Sequence, residues 1–509
     1  MQATLNKTTH KYFKAVYAAD FTREETAETV VPDVLPDISD ILSASGIVIL
    51  KGKEMQDGRV SVSAVLQCSV QYAPEDEDGI RALSLSIPVE ISAESPEMCM
   101  DDRPVVMLEL ASLDARMLNP RKVLARADIS VRLECYGERE LSVYDAVSDS
   151  TGARIQLRQE TVAASLITGV REKTFVISDE YPIPLSKPAF GEIIRQSVML
   201  TTDEVKAVGN KLVFKGEASV SLMYTPPGSN EPSTLEFMSS YSQIMELDSV
   251  CEDPEAVISL MSTGVYFDAV ANAQGGKTLV VELHAVAQCV SMESRELCGI
   301  SDAYCNRYTL ELTGEELPLR QTVRRMSLRE TLRDSLQLPE PAAEIIAASA
   351  DTGIASMDEG GISVPLRVSV IYRAENGRLR SASGRFAVRA DVDAGENVEK
   401  RLLCCRVAEV YAMPAGDALE LRIPVDMELL LARETQVYML TSIGYDETGV
   451  IDTTQLPSLV LMRPEGRSLW QLAKEHCSTV EAIISANGIE NEDELDPGAI
   501  IMIPRLRAD

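Results

Sequence analysis

Apolar and polar residues alternate strictly in three stretches of the chain. They are Val60, Val62, Ala64, Leu66, Cys68, Val70, Tyr72; Leu212, Phe214, Gly216, Ala218, Val220, Leu222, Tyr224; and Ile362, Val364, Leu366, Val368, Val370, Tyr372. A period of two is the mark of a half-buried strand. Each run ends in tyrosine, and the three tyrosines are 152 and 148 residues apart. Such spacing indicates a threefold internal repeat. A proline-led segment precedes each run: PDISDILSAS from Pro36, PAFGEIIRQS from Pro188 and PAAEIIAAS from Pro341. Proline suits a first helical turn, and the pairs Ile41-Leu42, Ile193-Ile194 and Ile345-Ile346 give one apolar side, so a short helix is expected in each unit.

Turn-rich breaks follow the tyrosines: APEDEDG from Ala73, TPPGSNEP from Thr225 and RAENG from Arg373. Beyond them the alternation resumes in KVLARADISVRLECY from Lys122, KTLVVELHAVAQCV from Lys277 and ALELRIPVDMELLLA from Ala418. Hairpins of an antiparallel sheet fit this order. The expected fold class is mainly β with α+β elements, built as three tandem antiparallel β-rich modules and a small final domain. Boundaries near Ser150, Thr313 and Asp452 delimit modules 24–150, 151–313 and 314–452. Residues 1–23 form a lead-in that reads as an edge strand or a docking segment.

The final domain, 455–506, is marked by GRSLWQLAKEHCSTVEAIISANGI, Gly466 to Ile489, which holds the chain's single tryptophan, Trp470. Ser468 with Gln471, and Ser478 with Glu481, have the spacing of capping boxes and predict two short helices. Leu469, Leu472, Ala473 and His476 form one apolar stripe, and Val480, Ile483 and Ile484 another, while Asn487-Gly488 supplies a left-handed stop. Strand candidates flank them at Leu459 to Met462 and Ile500 to Ile503, the second after the turn Pro497-Gly498. The order is βααβ.

That order resembles the LysM domain, and the positions that carry the resemblance are Gly466, Ser468, Leu469, Trp470, Ala473, Val480, Asn487, Pro497, Gly498, Ile503 and Pro504. The resemblance implies a shallow groove for N-acetylglucosamine chains, placed here at Gly466, Arg467, Ser468 and Leu469 and, across from them, at Asn487, Gly488 and Ile489. Trp470 is taken with this set, either at the groove or as a core residue of a very small domain. Arg467 stands where the family has aspartate, and IENEDELD makes the far wall acidic. The upstream repeat of proline-led segment, alternating strand and terminal tyrosine is similar to the SPOCS domains of spore-coat-associated proteins in endospore-forming Firmicutes. Three such units before a LysM resemble the SPOCS-domain interactors of stage IV sporulation protein A, the spore coat morphogenetic ATPase. This second resemblance implies a non-catalytic scaffold in the cytoplasm, on the mother-cell side of the forespore surface, whose LysM docks that ATPase.

Composition narrows the alternatives. The 509 residues carry a formal net charge of -31, with 45% hydrophobic and 25% charged residues, so folded cores are expected and a phosphate backbone would be repelled. No nucleic acid partner is expected. No apolar run approaches the roughly 18 residues of a membrane span, and Met1 to Lys14 lacks an apolar signal core, so a cytosolic location without a transmembrane segment is expected. The ten cysteines form no CxxC pair and read as reduced, mostly buried small hydrophobes; Cys404 and Cys405 should face opposite ways. Only three histidines exist, His10, His284 and His476, far apart in sequence, so no metal centre, cofactor or catalytic residue is assigned. His284 reads as solvated. ANAQGGKT, Ala271 to Thr278, imitates the end of a phosphate-binding loop but leads into a strand, which fits a hairpin turn. The acidic runs EDED at Glu75 and ENEDELD at Glu490 lack calcium-loop spacing and read as solvated loops. Three functions stay open: protein adaptor, binder of peptidoglycan glycan, and a hydrolase using a carboxylate pair inside a β module.

Overall fold

Strands form almost everywhere that the period-two pattern runs. The computed structural model describes residues 2–148, 154–247, 254–271, 276–358, 360–395, 397–407, 409–451, 457–489 and 498–505. The first unit comprises β1 (Leu5–Val30), β2 (Ile38–Gln56), β3 (Arg59–Pro74), β4 (Arg81–Glu94), β5 (Arg103–Asn119) and β6 (Lys122–Val147). The second comprises β7 (Ile155–Pro182), β8 (Glu192–Leu200), β9 (Glu204–Val208), β10 (Lys211–Thr225), β11 (Ser233–Glu246), β12 (Glu255–Ala271) and β13 (Lys277–Cys305). The third comprises β14 (Tyr308–Gln337), β15 (Ala342–Thr352), β16 (Ser356–Met357), β17 (Gly361–Ala374), β18 (Leu379–Asp391), β19 (Val398–Val407), β20 (Tyr411–Ala415) and β21 (Ala418–Val450). β22 (Leu459–Met462), α1 (Leu469–Glu475), α2 (Val480–Asn487) and β23 (Ile501–Pro504) end the chain's described elements. The protein is mostly β, and the two helices lie in the C-terminal segment.

One pairing scheme recurs three times, always antiparallel. A short sheet centres on β3, β10 or β17, the three alternating runs, and a long one on β6, β13 or β21. The turn-rich breaks join β3 to β4, β10 to β11 and β17 to β18 as hairpins. Ala271 pairs with Lys277 across β12 and β13, which makes the phosphate-loop imitation a hairpin connection, although residues 272–275 lie outside the described residues. The tyrosines that end the runs, Tyr72, Tyr224 and Tyr372, are 0% exposed. Tyr72 and Tyr224 donate their hydroxyls to the carbonyls of Pro36 and Pro188 at 3.2 and 2.8 Å, so each proline-led segment is tied to the end of its own sheet.

Those segments are strands, not helices. Ile41 pairs with Tyr72 and Ser43 with Gln71, leaving Leu42 as an extra residue. Ile193 pairs with Tyr224 and Arg195 with Met223, leaving Ile194; Ile345 pairs with Tyr372 and Ala347 with Ile371, leaving Ile346. Each is a β-bulge at the same place in its unit. Adjacent apolar residues were read as a helical stripe, yet a bulge makes the same demand, because its extra residue breaks the alternation. Leu42 and Ile194 are buried and pack with Ile80, Met223, Ile371 and Leu379 in one cluster, against which Ile346 is placed. The three bulges therefore meet. The Ile194 carbonyl, unpaired in its own ladder, accepts from Gln71 Nε2 at 2.8 Å and Ser69 Oγ at 2.7 Å in the first unit.

The long strands cross from one core to another. β6 contributes Ala125 to Cys135 to the core of the first unit and Val143 to a second cluster with Ala164, Leu166, Leu297, Leu317 and Met439, drawn from all three units. Thr313, expected at a boundary, lies inside β14; Ser150 and Asp452 lie outside the described residues. The lead-in, expected as an edge strand or a docking segment, is strand. It is the start of β1, which pairs with β6 over its whole length and touches β7 at Phe13 and Ile167, linking two units in one six-stranded sheet. β5 at the edge of that sheet is closed by Gln288, whose amide donates to the Val106 carbonyl at 2.7 Å and accepts from its N–H at 2.9 Å.

Truncating a bulge residue should thus loosen all three units together. Ile194→Ala is expected to lower stability by about 2 to 4 kcal/mol, and the half-buried Ile193→Ala by less. Urea unfolding followed by circular dichroism checks both. Loss confined to a separate small transition would contradict a shared core.

Candidate functional site

The C-terminal segment folds from its caps inward. Ser468 Oγ accepts from the Gln471 N–H at 3.2 Å and the Ser468 N–H donates to Gln471 Oε1 at 3.0 Å, closing the capping box at the start of α1. The second cap is displaced by one residue from its expected place. Thr479, in extended backbone, is the N-cap of α2 and accepts from the Ala482 N–H at 3.2 Å. Ser478 is buried and donates its hydroxyl to the Pro504 carbonyl, tying the helix pair to β23. Sequence offered two adjacent hydroxyls, and the one facing β23 could not also cap. Gly488 closes α2 at φ 64°, the expected left-handed stop.

Leu469, Leu472, Ala473 and Ile483 form the core of this small domain with Ile501 and Ile503 of β23. Tyr304 of β13 completes it. The helix pair is therefore seated on the β body. Tyr304 stands edge-on to Trp470, ring centroids 4.8 Å apart, and donates its hydroxyl to the Ser478 carbonyl at 3.1 Å. Asn306 Nδ2 donates to the same carbonyl at 3.0 Å. Trp470 Nε1 donates to Asp302 Oδ2 at 2.8 Å, and Lys474 Nζ donates to Asp302 Oδ1 at 2.7 Å.

The eight residues expected at the groove divide by role. Leu469 is fully buried and Ser468 is the cap. Asn487 bridges α2 to β23, donating to the carbonyls of Ile483 and Met502 and accepting from the Met502 N–H at 2.7 Å. Trp470 belongs to the seam with the body. Arg467 pairs with Glu475 at 2.9 Å and donates to the Pro464 carbonyl at 3.2 Å, which lays it along α1. Gly466, at φ 80°, and Gly488 are exposed with open space where a side chain would begin, and Ile489 is half-buried. These last three, with Arg467, are the part of the expected groove that remains for a ligand. The acidic far wall, residues 490–496, and Pro497 lie outside the described residues.

Asp302, Tyr304, Asn306 and Lys474, which form the seam, are not singled out by the sequence. Their only trace in sequence is the alternate spacing of Asp302, Tyr304 and Asn306, which is the ordinary pattern of a strand face. Elsewhere, Cys68, Cys135, Cys289 and Cys305 are buried free thiols; His284 meets Glu282 at 2.5 Å in partly exposed surroundings. Among the described residues no helix is long and apolar enough to cross a membrane.

The LysM domain family matches residues 465–504 of the chain. The match covers the capped helix pair and β23 and does not extend to the β body. Comparison with curated proteins and with solved structures returns no match.

Two outcomes test this geometry. Burial acts to raise the Asp302 carboxyl, but Lys474 and Trp470 outweigh it and hold the group below its ordinary value of 3.8. A depressed carboxylate stabilises above its unfolded pKa and loses that contribution as pH falls through the folded one. Trp470 emission should report loosening of the seam below about pH 4, and Asp302→Asn should show the altered emission already at neutral pH. An emission spectrum unchanged by Asp302→Asn would place Trp470 elsewhere. Thr479→Ala should cost the helix pair about 1 kcal/mol through its lost cap, measured by hydrogen exchange of the Ala482 amide.

Proposed function

We propose that the chain is a non-catalytic binding scaffold, in which the β body holds the LysM domain in a fixed orientation and that domain binds N-acetylglucosamine-containing glycan such as peptidoglycan. The observation that carries the reading is the LysM match on residues 465–504, laid on a folded, capped helix pair between two strands. Gly466 and Gly488 leave the backbone open to a flat sugar ring, which needs close approach rather than a deep pocket. The seam at Asp302 and Trp470 restricts how that surface is presented.

A second reading is favoured by a different face. Leu461 and Met502 lie opposite each other in the β22–β23 pair and are 62% and 38% exposed, with Leu459 and Ile500 beside them at 45% and 65%. An apolar strip of this kind suits a protein partner better than a sugar. In this reading three SPOCS-like modules and the LysM form an adaptor of spore coat morphogenesis, acting in the mother-cell cytoplasm and docking the coat morphogenetic ATPase, stage IV sporulation protein A. It rests on the order of the repeats and on that strip.

Pelleting with insoluble peptidoglycan and co-purification with the ATPase separate the two. Under the glycan reading the full chain sediments with peptidoglycan, Ile489→Asp weakens this about tenfold, and Leu461→Asp leaves it unchanged. Under the adaptor reading the ATPase is retained, Leu461→Asp releases it, and peptidoglycan pellets no protein. Failure of both retentions would remove the LysM surface as a binding site.

A further inference from the structure

Just beyond the three bulges lies a cavity of about 640 Å³, a volume typical of sites for small organic molecules. β2, β8 and β15 line it, together with β5, β12 and β19, the strands that pair with β6, β13 and β21. It belongs to no single unit.

The ionised groups on its walls decide what it would hold. Five carboxylates and three guanidiniums line it. Each guanidinium already has a carboxylate: Arg132 meets Asp20 at 3.1 Å, Arg325 meets Glu428 at 2.7 Å, and Arg406 approaches Asp203 at 3.9 Å. Glu109 and Asp351 remain. Asp351, whose carboxyl burial pushes up to about 6, faces Arg195 and Arg367, and Arg367 is held in turn by Asp114. Glu109, on β5, has no hydrogen bond or ion pair from its carboxylate among the described residues. Its nearest cation, Arg132, is committed to Asp20 and to the Leu402 carbonyl at 2.7 Å. The Glu109 side chain is exposed on the cavity, and the protein packed around it still raises its carboxyl, with Arg132 acting to lower it. With Arg195 set against Asp351, one negative charge is left over.

Apolar side chains line the cavity too, from Val198, Leu200, Leu260 and Ile354. A metal ion suits this arrangement poorly, since no group of three or more His, Cys, Asp or Glu converges among the described residues. We propose that the cavity binds a small organic monocation, an amine whose ammonium pairs with Glu109 and whose apolar body lies against those four side chains. A charge matched inside a half-enclosed space is screened less by salt than the same pair on the open surface.

The test is calorimetric titration of the full chain with hexylammonium at physiological salt, set against hexan-1-ol, which keeps the body without the charge, and ammonium chloride, which keeps the charge without the body. Hexylammonium is expected to bind at a single saturable site at least about tenfold more tightly than either. Glu109→Gln should lose that margin, while Glu75→Gln, in an exposed loop, should keep it. Ser259→Phe, which fills the cavity without changing its charge, should abolish binding. The circular dichroism spectrum and urea midpoint of each variant report folding. Equal binding of hexan-1-ol would reduce the cavity to an apolar hollow and overturn the proposal. So would hexylammonium binding that survives either Glu109→Gln or Ser259→Phe in folded protein, which is surface association with a chain of net charge -31. Absence of saturable heat overturns it as well.

Discussion

Three bulged residues, Leu42, Ile194 and Ile346, hold the β body together. A bulge turns one side chain out of its strand's alternation, and in each unit it does so beside the buried tyrosine that ends the central strand. The turned side chains reach a common cluster with residues from all three units. A regular strand would have directed them into its own sheet or to solvent, and the units would share far less apolar surface. The Ile194 carbonyl, freed by its bulge, is satisfied by Gln71 and Ser69 of the neighbouring unit, so the irregularity in one ladder becomes a polar contact between two. The bulge thus provides an apolar and a hydrogen-bonded reason for the units to associate.

The strand lengths follow from that association. β21 runs for 33 residues and β14 for 30, several times the usual length of a strand. Strands this long cannot keep both ends in the core of one unit. Their far halves gather in clusters built from several units, around Val143, Leu297 and Leu317 and around Ile300 and Ile443. The end of β13 then emerges as the platform for the C-terminal domain, through Asp302, Tyr304 and Asn306. A domain whose described residues form two short helices and two short strands gains a core residue, Tyr304, from its neighbour. Its tryptophan, which sequence leaves either at the groove or in the core, is turned to that seam. The surface left for recognition is correspondingly narrower: two glycines, one half-buried isoleucine, and an arginine already laid along a helix.

Polar side chains join the units at several places. Gln288 closes the edge of β5 with a two-point amide contact, Arg367 joins Asp114 across units, and Arg401 joins Glu134 at 2.6 Å. The charged groups at these junctions, Arg367 with Asp114 and Arg401 with Glu134, meet an opposite charge. Glu109 departs from that rule, which is why its cavity differs from an ordinary packing gap between sheets.

The central alternating strands, their hairpins, the cap of the first helix and the left-handed stop at Gly488 were determined by sequence alone, because each depends on residues close to one another in the chain. Alternation reports burial, turns need particular backbone angles, and caps need a hydroxyl or amide at a fixed offset. What sequence could not decide were matters of two-fold ambiguity or long range. An adjacent apolar pair satisfies a helical stripe and a bulge equally well, and only the partner strand's register at Tyr72, Tyr224 and Tyr372 selects the bulge. Ser478 and Thr479 could each cap α2, and only the Pro504 carbonyl, 26 residues away, removes Ser478 from the choice. The residues that seat Trp470 lie 168 positions upstream on a strand whose pattern looks like any other. Contacts across that separation leave no periodic trace, so local motif led only to the expected position of a groove, while the way the small domain faces was decided by tertiary packing.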